Sequence, residues 1–319
     1  MQVNTQTTSV IICCYAVDRI EWVVQAVDSV LKQTQKPKEV IVVFDKKDGL
    51  EGVLKQKLPN SVFIIPNQAK KGLSLARNTG AKVASGDILI FLDDDAVAEP
   101  DWLKHLIDPF NDPWVVGVGG KAVPDWLGSG KRPYWFPEEI DWTVGCMYPS
   151  FGNMKKIVRN AFGCNMAFKK DLLMKVNGFD PRLGGPVSGD DTDICLRITS
   201  GDKRYHIIYE PNAVIHHKVS EKRQTFRHIA YNAWIQGVGK AITKRLYSRD
   251  YRALSNEKSY LRNILLNFLP KQSLQMFIHP RRASGKIAAV VIVTISLGLG
   301  YILTTMKIHN VNLDQYKST

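Results

Sequence analysis

Ile88-Leu89-Ile90-Phe91-Leu92-Asp93-Asp94-Asp95 is an apolar run that ends in three carboxylates. Consecutive apolar residues of this length fit a strand buried on both faces, as in a parallel sheet covered by helices. Such a strand delivers Asp93, Asp94 and Asp95 to the edge of the sheet, where charge is presented. A carboxylate cluster there offers hard oxygen ligands to a divalent cation, Mn2+ or Mg2+, and a bound cation neutralises a diphosphate. A polar loop after a strand explains three aspartates equally well in isolation, so the surrounding sequence has to decide.

Similar apolar runs occur at Ser9 to Cys14, Val40 to Phe44 and Val62 to Ile65. Between them, Val23, Ala26, Val27, Val30 and Leu31 recur at helical spacing within Trp22 to Leu31, and a second helix is predicted over Ser74 to Ala84, entered through Gly72. Strands alternating with helices predict an α/β fold around a mostly parallel, Rossmann-like sheet. Ligands of such sheets bind beyond the carboxyl ends of the strands, where Tyr15, Asp45, Asn67 and the three aspartates fall. From Pro124 to Tyr148 the chain turns aromatic, with Trp126, Tyr134, Trp135, Phe136, Trp142 and Tyr148 available for sugar, lipid or packing. Further on, a strand is expected over Gly163 to Phe168, a helix from Lys170, and another helix beginning at Asp190 and Asp191, where capping is the structural alternative to chemistry.

A chain of 319 residues with 45% hydrophobic content supports one large domain plus an appendage. The net charge of +13 is unevenly placed: Lys218 to Lys286 holds 15 Lys and Arg against 3 Asp and Glu, so it carries +12 of the total. This segment leads into Ile287 to Met306, twenty residues without a charged side chain. As a helix they would extend about 30 Å, the thickness of a bilayer core. The basic charge is therefore assigned to a membrane surface and not to nucleic acid. A helix is expected from Thr225 to Ala241, and Tyr260 to Ile278, around Pro270, reads as an interfacial segment. The flanking cations predict a single-pass protein of the cell membrane with its catalytic part cytoplasmic. The polar start, Met1 to Thr8, is not expected to be a signal peptide. Five cysteines without a C-x-x-C pair read as reduced core thiols. The expected organisation is a catalytic domain over 1–240, a basic amphipathic segment over 241–286, a transmembrane helix over 287–306 and a tail over 307–319.

Taken together, Ser9-Val-Ile-Ile-Cys-Cys-Tyr15, Glu39-Val-Ile-Val-Val-Phe-Asp45, Lys71-Gly-Leu-Ser-Leu-Ala-Arg-Asn-Thr-Gly80, Gly86-Asp-Ile-Leu-Ile-Phe-Leu-Asp-Asp-Asp95 and Gly189-Asp-Asp-Thr-Asp-Ile-Cys-Leu-Arg197 resemble the family 2 glycosyltransferases of GT-A fold. The resemblance implies inverting transfer from a nucleotide-diphosphate sugar, with a divalent cation as cofactor. It places the catalytic base at Asp191, with Asp190 as the alternative because the family more often has Glu there. It implies Asp95, Asp93 and His217 as metal ligands, His217 being favoured over His216 by its spacing from Pro211. It implies Tyr15, Asp45, Arg77, Asp93 and Asp94 as residues around the nucleotide sugar, Asp45 accepting from a uracil N–H. Here Val-Phe-Asp-Lys-Lys-Asp replaces the family's Val-Asp-Asp-Gly-Ser. Arg77 has a salt bridge on its helix face as its structural alternative, and Arg223 and Arg227 are placed to serve either a diphosphate or a membrane surface.

A narrower resemblance rests on Trp135-Phe-Pro-Glu-Glu-Ile-Asp-Trp-Thr-Val-Gly-Cys146 and Arg159-Asn-Ala-Phe-Gly-Cys-Asn-Met-Ala-Phe168. These are similar to the archaeal glucosyl-dolichyl phosphate glucuronosyltransferases of N-glycan assembly. The similarity implies a UDP-sugar donor, with glucuronic acid as the sugar moved, and a saccharide on polyprenyl or dolichyl phosphate as acceptor. A donor carboxylate would call for a nearby cation, and Arg159, Lys169 and Arg182 are all candidates. The competing readings are a polyprenyl-phosphate sugar synthase, whose acceptor is the lipid phosphate, and a non-catalytic membrane-anchored scaffold.

Overall fold

Residues 6–45, 49–68, 72–183, 188–247 and 255–309 are described by the computed structural model. The Lys46 to Asp48 stretch, Lys71 and the tail beyond 309 lie outside the described residues. The four apolar runs are strands β1 (Thr8–Cys14), β2 (Glu39–Phe44), β3 (Val62–Pro66) and β4 (Ile88–Asp93), all parallel in the order β3-β2-β1-β4. The helices α1 (Ile20–Leu31), α2 (Leu50–Lys57) and α3 (Leu73–Val83) connect them. Alternation along each strand sends side chains to two faces. Val10, Ile12, Val40 and Val42 meet Val23, Val27, Val30, Leu50 and Leu54 on one, while Ile11, Ile41 and Phe91 meet Ala76 and Ala81 on the other.

The second half continues the same sheet with β5 (Ala96–Ala98), β6 (Val115–Trp126), β7 (Lys156–Val158), β8 (Asn165–Lys169) and β9 (His206–Val219), and with α4 (Trp102–Ile107), α5 (Lys170–Lys175) and α6 (Asp190–Thr199). The mostly parallel order expected from sequence describes the first half. In the second, β8 is antiparallel to both β4 and β6, β6 pairs parallel with β9, and β5 and β7 pair antiparallel with β9. An antiparallel neighbour needs no crossover helix, which is how the long excursion between β6 and β8 rejoins the sheet. The β6–β9 register shifts between Gly120 and Lys121, near Pro211. Fully buried Asn165 covers the gap: its Nδ2 donates to Ala213 O at 3.0 Å and Lys121 O at 3.3 Å, and its Oδ1 accepts from Trp102 Nε1 at 2.8 Å. Unpaired carbonyls at that bulge would otherwise cost stability.

Beyond the sheet come α7 (Phe226–Leu246), capped by Thr225 Oγ1 accepting from His228 N, then α8 (Ser255–Asn263), a π-helical turn over Ile264–Phe268, α9 (Leu269–Gln275) and α10 (Pro280–His309). Helix α7 runs through the boundary expected at residue 240. Pro270 sits in the first turn of α9, directly after the π-helical turn. From Pro280 to Lys307, α10 is long and apolar enough to cross a membrane. Its inner face joins a third core in which Trp126, Phe136, Ile140 and Val144 pack with Ile229, Ala233, Phe268, Ala289, Val290 and Val293. Part of the aromatic excursion is thus a docking surface for the C-terminal helices.

Helices α7 and α10 touch backbone to backbone. A methyl group at Gly237 would overlap the Leu297 carbonyl, and one at Gly300 would overlap the Trp234 carbonyl. Gly237→Val is accordingly expected to destabilise the protein by about 1–3 kcal/mol through overpacking. A lower unfolding midpoint in detergent checks this; an unchanged midpoint would mean that the two helices do not meet there.

Candidate active site

Strand β4 carries Asp93 at its last position, and Asp94 and Asp95 form the turn into β5. Strand β5 pairs with β9 so that Ala96 lies opposite His217. Alternation along β9 then separates the two histidines. His217 Nε2 lies 3.1 Å from Asp95 Oδ1, whereas His216 faces out to Glu99, Nε2 to Oε1 at 3.0 Å. Asp95 Oδ2 is held by Arg19 and by Arg223 Nη1, the latter at 3.2 Å. Burial pushes the Asp95 carboxyl up, but His217, Arg19 and Arg223 together outweigh it and hold the group below the usual carboxylate range. Asp94 goes the other way. Burial raises it well above that range, with Asp95 and Asp93 adding to the effect against Arg19, whose Nη1 is 2.8 Å from Asp94 Oδ1. Its Oδ2 is buried with no hydrogen-bond partner among the described residues.

Arg77, on α3, has its fork committed. Nη1 is 2.9 Å from Asp190 Oδ2, and Nη2 reaches Asp93 Oδ1 at 3.2 Å and the Gly163 carbonyl at 2.8 Å. The salt bridge that sequence left as an alternative for Arg77 is therefore present, and it ties the end of β4 to the start of α6. Ser74 Oγ also donates to Asp190 Oδ2, at 3.2 Å. The cap residue of α6 is Gly189, so Asp190 and Asp191 occupy the first turn. Asp191 Oδ1 accepts from Thr192 N at 2.6 Å. Burial, then neighbouring Asp190, raise the Asp191 carboxyl to about 6, against the Thr192 N–H, Arg77 and Arg159.

Arg77, Asp93, Asp190, Asp191 and His217 line one cavity of about 350 Å³. Trp142, Tyr148 and Tyr260 line it too, as do Gln236 and Lys240 from α7 and Val293, Thr294 and Leu297 from α10. Tyr15, Asp45, Asp94 and Asp95 are not among its lining residues. Asp45 is buried at the end of β2 and accepts from Asn67 Nδ2 at 2.8 Å, and Thr79 Oγ1 donates to Asn67 Oδ1 at 3.1 Å. Tyr15 is 53% exposed beyond β1, with the Arg19 guanidinium 5.0 Å from its ring centroid. Of the three cations considered for a donor carboxylate, Arg159 lines the cavity, Arg182 is paired with Asp180 at 2.6 Å, and Lys169 donates to the Pro113 carbonyl at 2.7 Å.

Asp93, Asp95 and His217 each turn a ligand atom toward the others, all within 4.8 Å. Ligands on opposite sides of one cation, at bond lengths of about 2.0–2.3 Å, lie roughly 4–4.6 Å apart, so this donor set fits a divalent cation. Gly145 closes the space over His217. Its φ of 81° is left-handed, and a methyl there would sit 3.2 Å from His217 Cε1. Sequence reading missed Gly145, Arg19, Gln236, Lys240 and the α10 contribution. Arg19, four residues before Val23, the first apolar position used for the helix prediction, carried no spacing signal, and the others depend on contacts between distant segments.

The sequence profile described as Glycosyl transferase family 2 matches residues 9–176. A glucosyl-dolichyl phosphate glucuronosyltransferase of Haloferax volcanii is 32% identical over 304 residues, covering 92% of this chain and 95% of the relative. Among solved structures, a mannosyltransferase of Pyrobaculum calidifontis in complex with GDP-Man and Mn2+ superposes with a TM-score of 0.59 at 19% identity, covering 92% of this chain and 88% of that one. GalNAc-T7 with UDP, GalNAc and Mn2+ gives 0.54 at 18% identity over 81% and 54%. The two superpositions show a shared GT-A fold. Profile, relative and fold agree with the strand-end carboxylates and the loaded first turn of α6: the chain belongs to glycosyl transferase family 2, and is a nucleotide-sugar-dependent glycosyltransferase.

Proposed function

We propose that this chain moves a sugar, with inversion, from a UDP-sugar to a saccharide carried on a polyprenyl or dolichyl phosphate, with glucuronate as the donor sugar by analogy with the Haloferax relative. One observation carries the reading. The cavity that holds Asp93, Asp190 and Asp191 is also walled by Val293, Thr294 and Leu297 of α10, so the acid-lined site opens along a helix suited to a bilayer. The nucleotide rests over Tyr15 and Asp45, Asn67 fixing the carboxylate that accepts from the base. Asp93, Asp95 and His217 would hold a divalent cation, and the chemistry it would supply there is charge neutralisation of the departing diphosphate.

Asp191 takes the proton of the acceptor hydroxyl as its oxygen bonds to the donor's anomeric carbon and the bond to the diphosphate breaks. Asp190 serves less well, because Arg77 and Ser74 occupy its Oδ2. A raised carboxyl suits a base that deprotonates a hydroxyl, which favours a saccharide acceptor over a bare lipid phosphate.

Residues 1–240 supply the acids of this chemistry, Tyr260 and α10 complete the wall of their cavity, the described part of 241–286 lies at the membrane surface, and 287–306 cross it once. Leu265, Leu266, Leu274, Phe277 and Ile278 are exposed around α9, as are Val291, Ile295, Leu299, Ile302 and Leu303 along α10. Apolar surface of that extent calls for lipid. Arg281, Arg282 and Lys286 at the head of α10 keep the catalytic part cytoplasmic.

Transfer from a panel of radiolabelled nucleotide sugars into lipid extract, with and without Mn2+ or Mg2+, tests the proposal. A metal-dependent, mild-acid-labile disaccharide-lipid is the expected product; a monosaccharide-lipid would make the enzyme a lipid-phosphate sugar synthase. Asp95→Ala should weaken cation binding at least about 100-fold, since even partners one shell beyond a ligand are worth about 10–100-fold. Metal-dependent nucleotide-sugar binding that survives in this variant would remove Asp95 from the ligand set.

A further inference from the structure

We infer that Tyr247 is a positioning residue for the sugar transfer: its hydroxyl fixes the first turn of α6, and with it Asp191, an inference that rests on the reading of Asp191 as the base. Tyr247 follows directly on α7, its N–H bonded to the Thr243 carbonyl at 2.9 Å. Its Oη donates to Asp193 Oδ1 at 2.5 Å, two residues beyond Asp191. Asp193 is buried, and its other oxygen accepts from Arg197 Nε at 2.8 Å, while Arg197 Nη1 donates to the Val176 carbonyl at 2.6 Å. Loss of the phenol hydroxyl would take this partner from one oxygen of a buried carboxylate, which then has to move to find another.

The first turn of α6 needs support from outside, because its cap residue is Gly189, at a left-handed φ of 128°, which has no side chain to bond the free N–H groups there. Arg77 and Ser74 of α3 hold Asp190. Helix α7 supplies the other hold through Gly239, Thr243 and Tyr247, which recur every four residues and so share one face. A methyl at Gly239 would overlap the Ser188 carbonyl, Thr243 Oγ1 would stand 3.5 Å from a methyl at Gly189, and Tyr247 reaches Asp193. These three contacts seat α7 along the stretch from Ser188 to Asp193. Gly237 lies about 200° round the helix from Gly239 and is pressed against the Leu297 carbonyl of α10. Helix α7 is therefore wedged between the helix that suits a bilayer and the turn that carries the base, and the Tyr247 hydroxyl is its polar contact with that turn.

The test is a double-mutant cycle with the detergent-solubilised full chain and the donor selected by the panel. Turnover is counted per UDP-binding site, titrated with UDP and Mn2+, so that loss of folded protein drops out of the comparison. Tyr247→Phe keeps the ring and removes only the hydroxyl. It should lower kcat about tenfold with the donor KM unchanged, since a displacement of 1 Å can cost about 10²-fold and a smaller one suffices here. In an Asp191→Asn background the same change should cost less than about twofold, because a base that is absent cannot be misplaced. An unchanged kcat in Tyr247→Phe overturns the positioning role. So does an equal loss in both backgrounds, which would make the hydroxyl act apart from Asp191. An Asp191→Asn enzyme as fast as the wild type overturns the base reading itself.

Discussion

Asp191→Asn is expected to lower kcat by about 10²–10⁴-fold, the range over which a positioned base contributes to proton transfer. Asparagine keeps the size of the side chain and can still accept from the Thr192 N–H, so donor binding should persist. With the Asp191 carboxyl raised to about 6 by burial and by Asp190, the sign of the pH effect follows. The base works only when ionised, so the wild-type rate should fall as pH drops through about 6 and level off above it. That acid limb should be missing from the residual activity of the variant. Single-turnover rates between pH 5 and 8 measure both effects, and an unchanged rate would place the base elsewhere, with Asp190 as the next carboxylate to replace.

The second large effect concerns stability. Arg77→Met should cost about 3 kcal/mol, the lower end of what breaking a buried ion pair costs, because Asp93 is still 29% exposed. The guanidinium is nearly fully buried, stands 5.5 Å from the Phe179 ring centroid and joins three groups from three segments. Lysine cannot reproduce that fork, so Arg77→Lys should recover only part of the loss. Denaturant unfolding of the two variants reads this directly. Equal stability of wild type and Arg77→Met would mean that the two aspartates are content without it.

The first half of the fold was legible because β1, β2 and β4 are apolar on both faces, a pattern that leaves little choice but a covered parallel sheet. The placement of Asp93 to Asp95 followed from the length of β4 alone. His217 over His216 came from a motif's spacing, and in the structure period-two alternation on β9 separates them. What escaped depends on contacts distant in sequence. Nothing in Val115 to Trp126 tells that β6 will pair with β9, about ninety residues later, or that Asn165 will bridge their bulge. Lys240 looked like one more cation in a basic segment, because its seat beside Asp191 depends on the absence of a side chain at Gly239.

The third core has a consequence for the order of events on the ribosome. Trp126, Phe136 and Val144 are synthesised early, but Ala289, Val290 and Val293 complete their packing more than a hundred residues later. Until α10 emerges, the sheet can close around its own two apolar faces while the aromatic excursion and α7 wait with exposed surface. Assembly of the cavity is therefore a late step, and the nascent chain cannot complete its wall before the Val293 to Leu297 turn of α10 has been made.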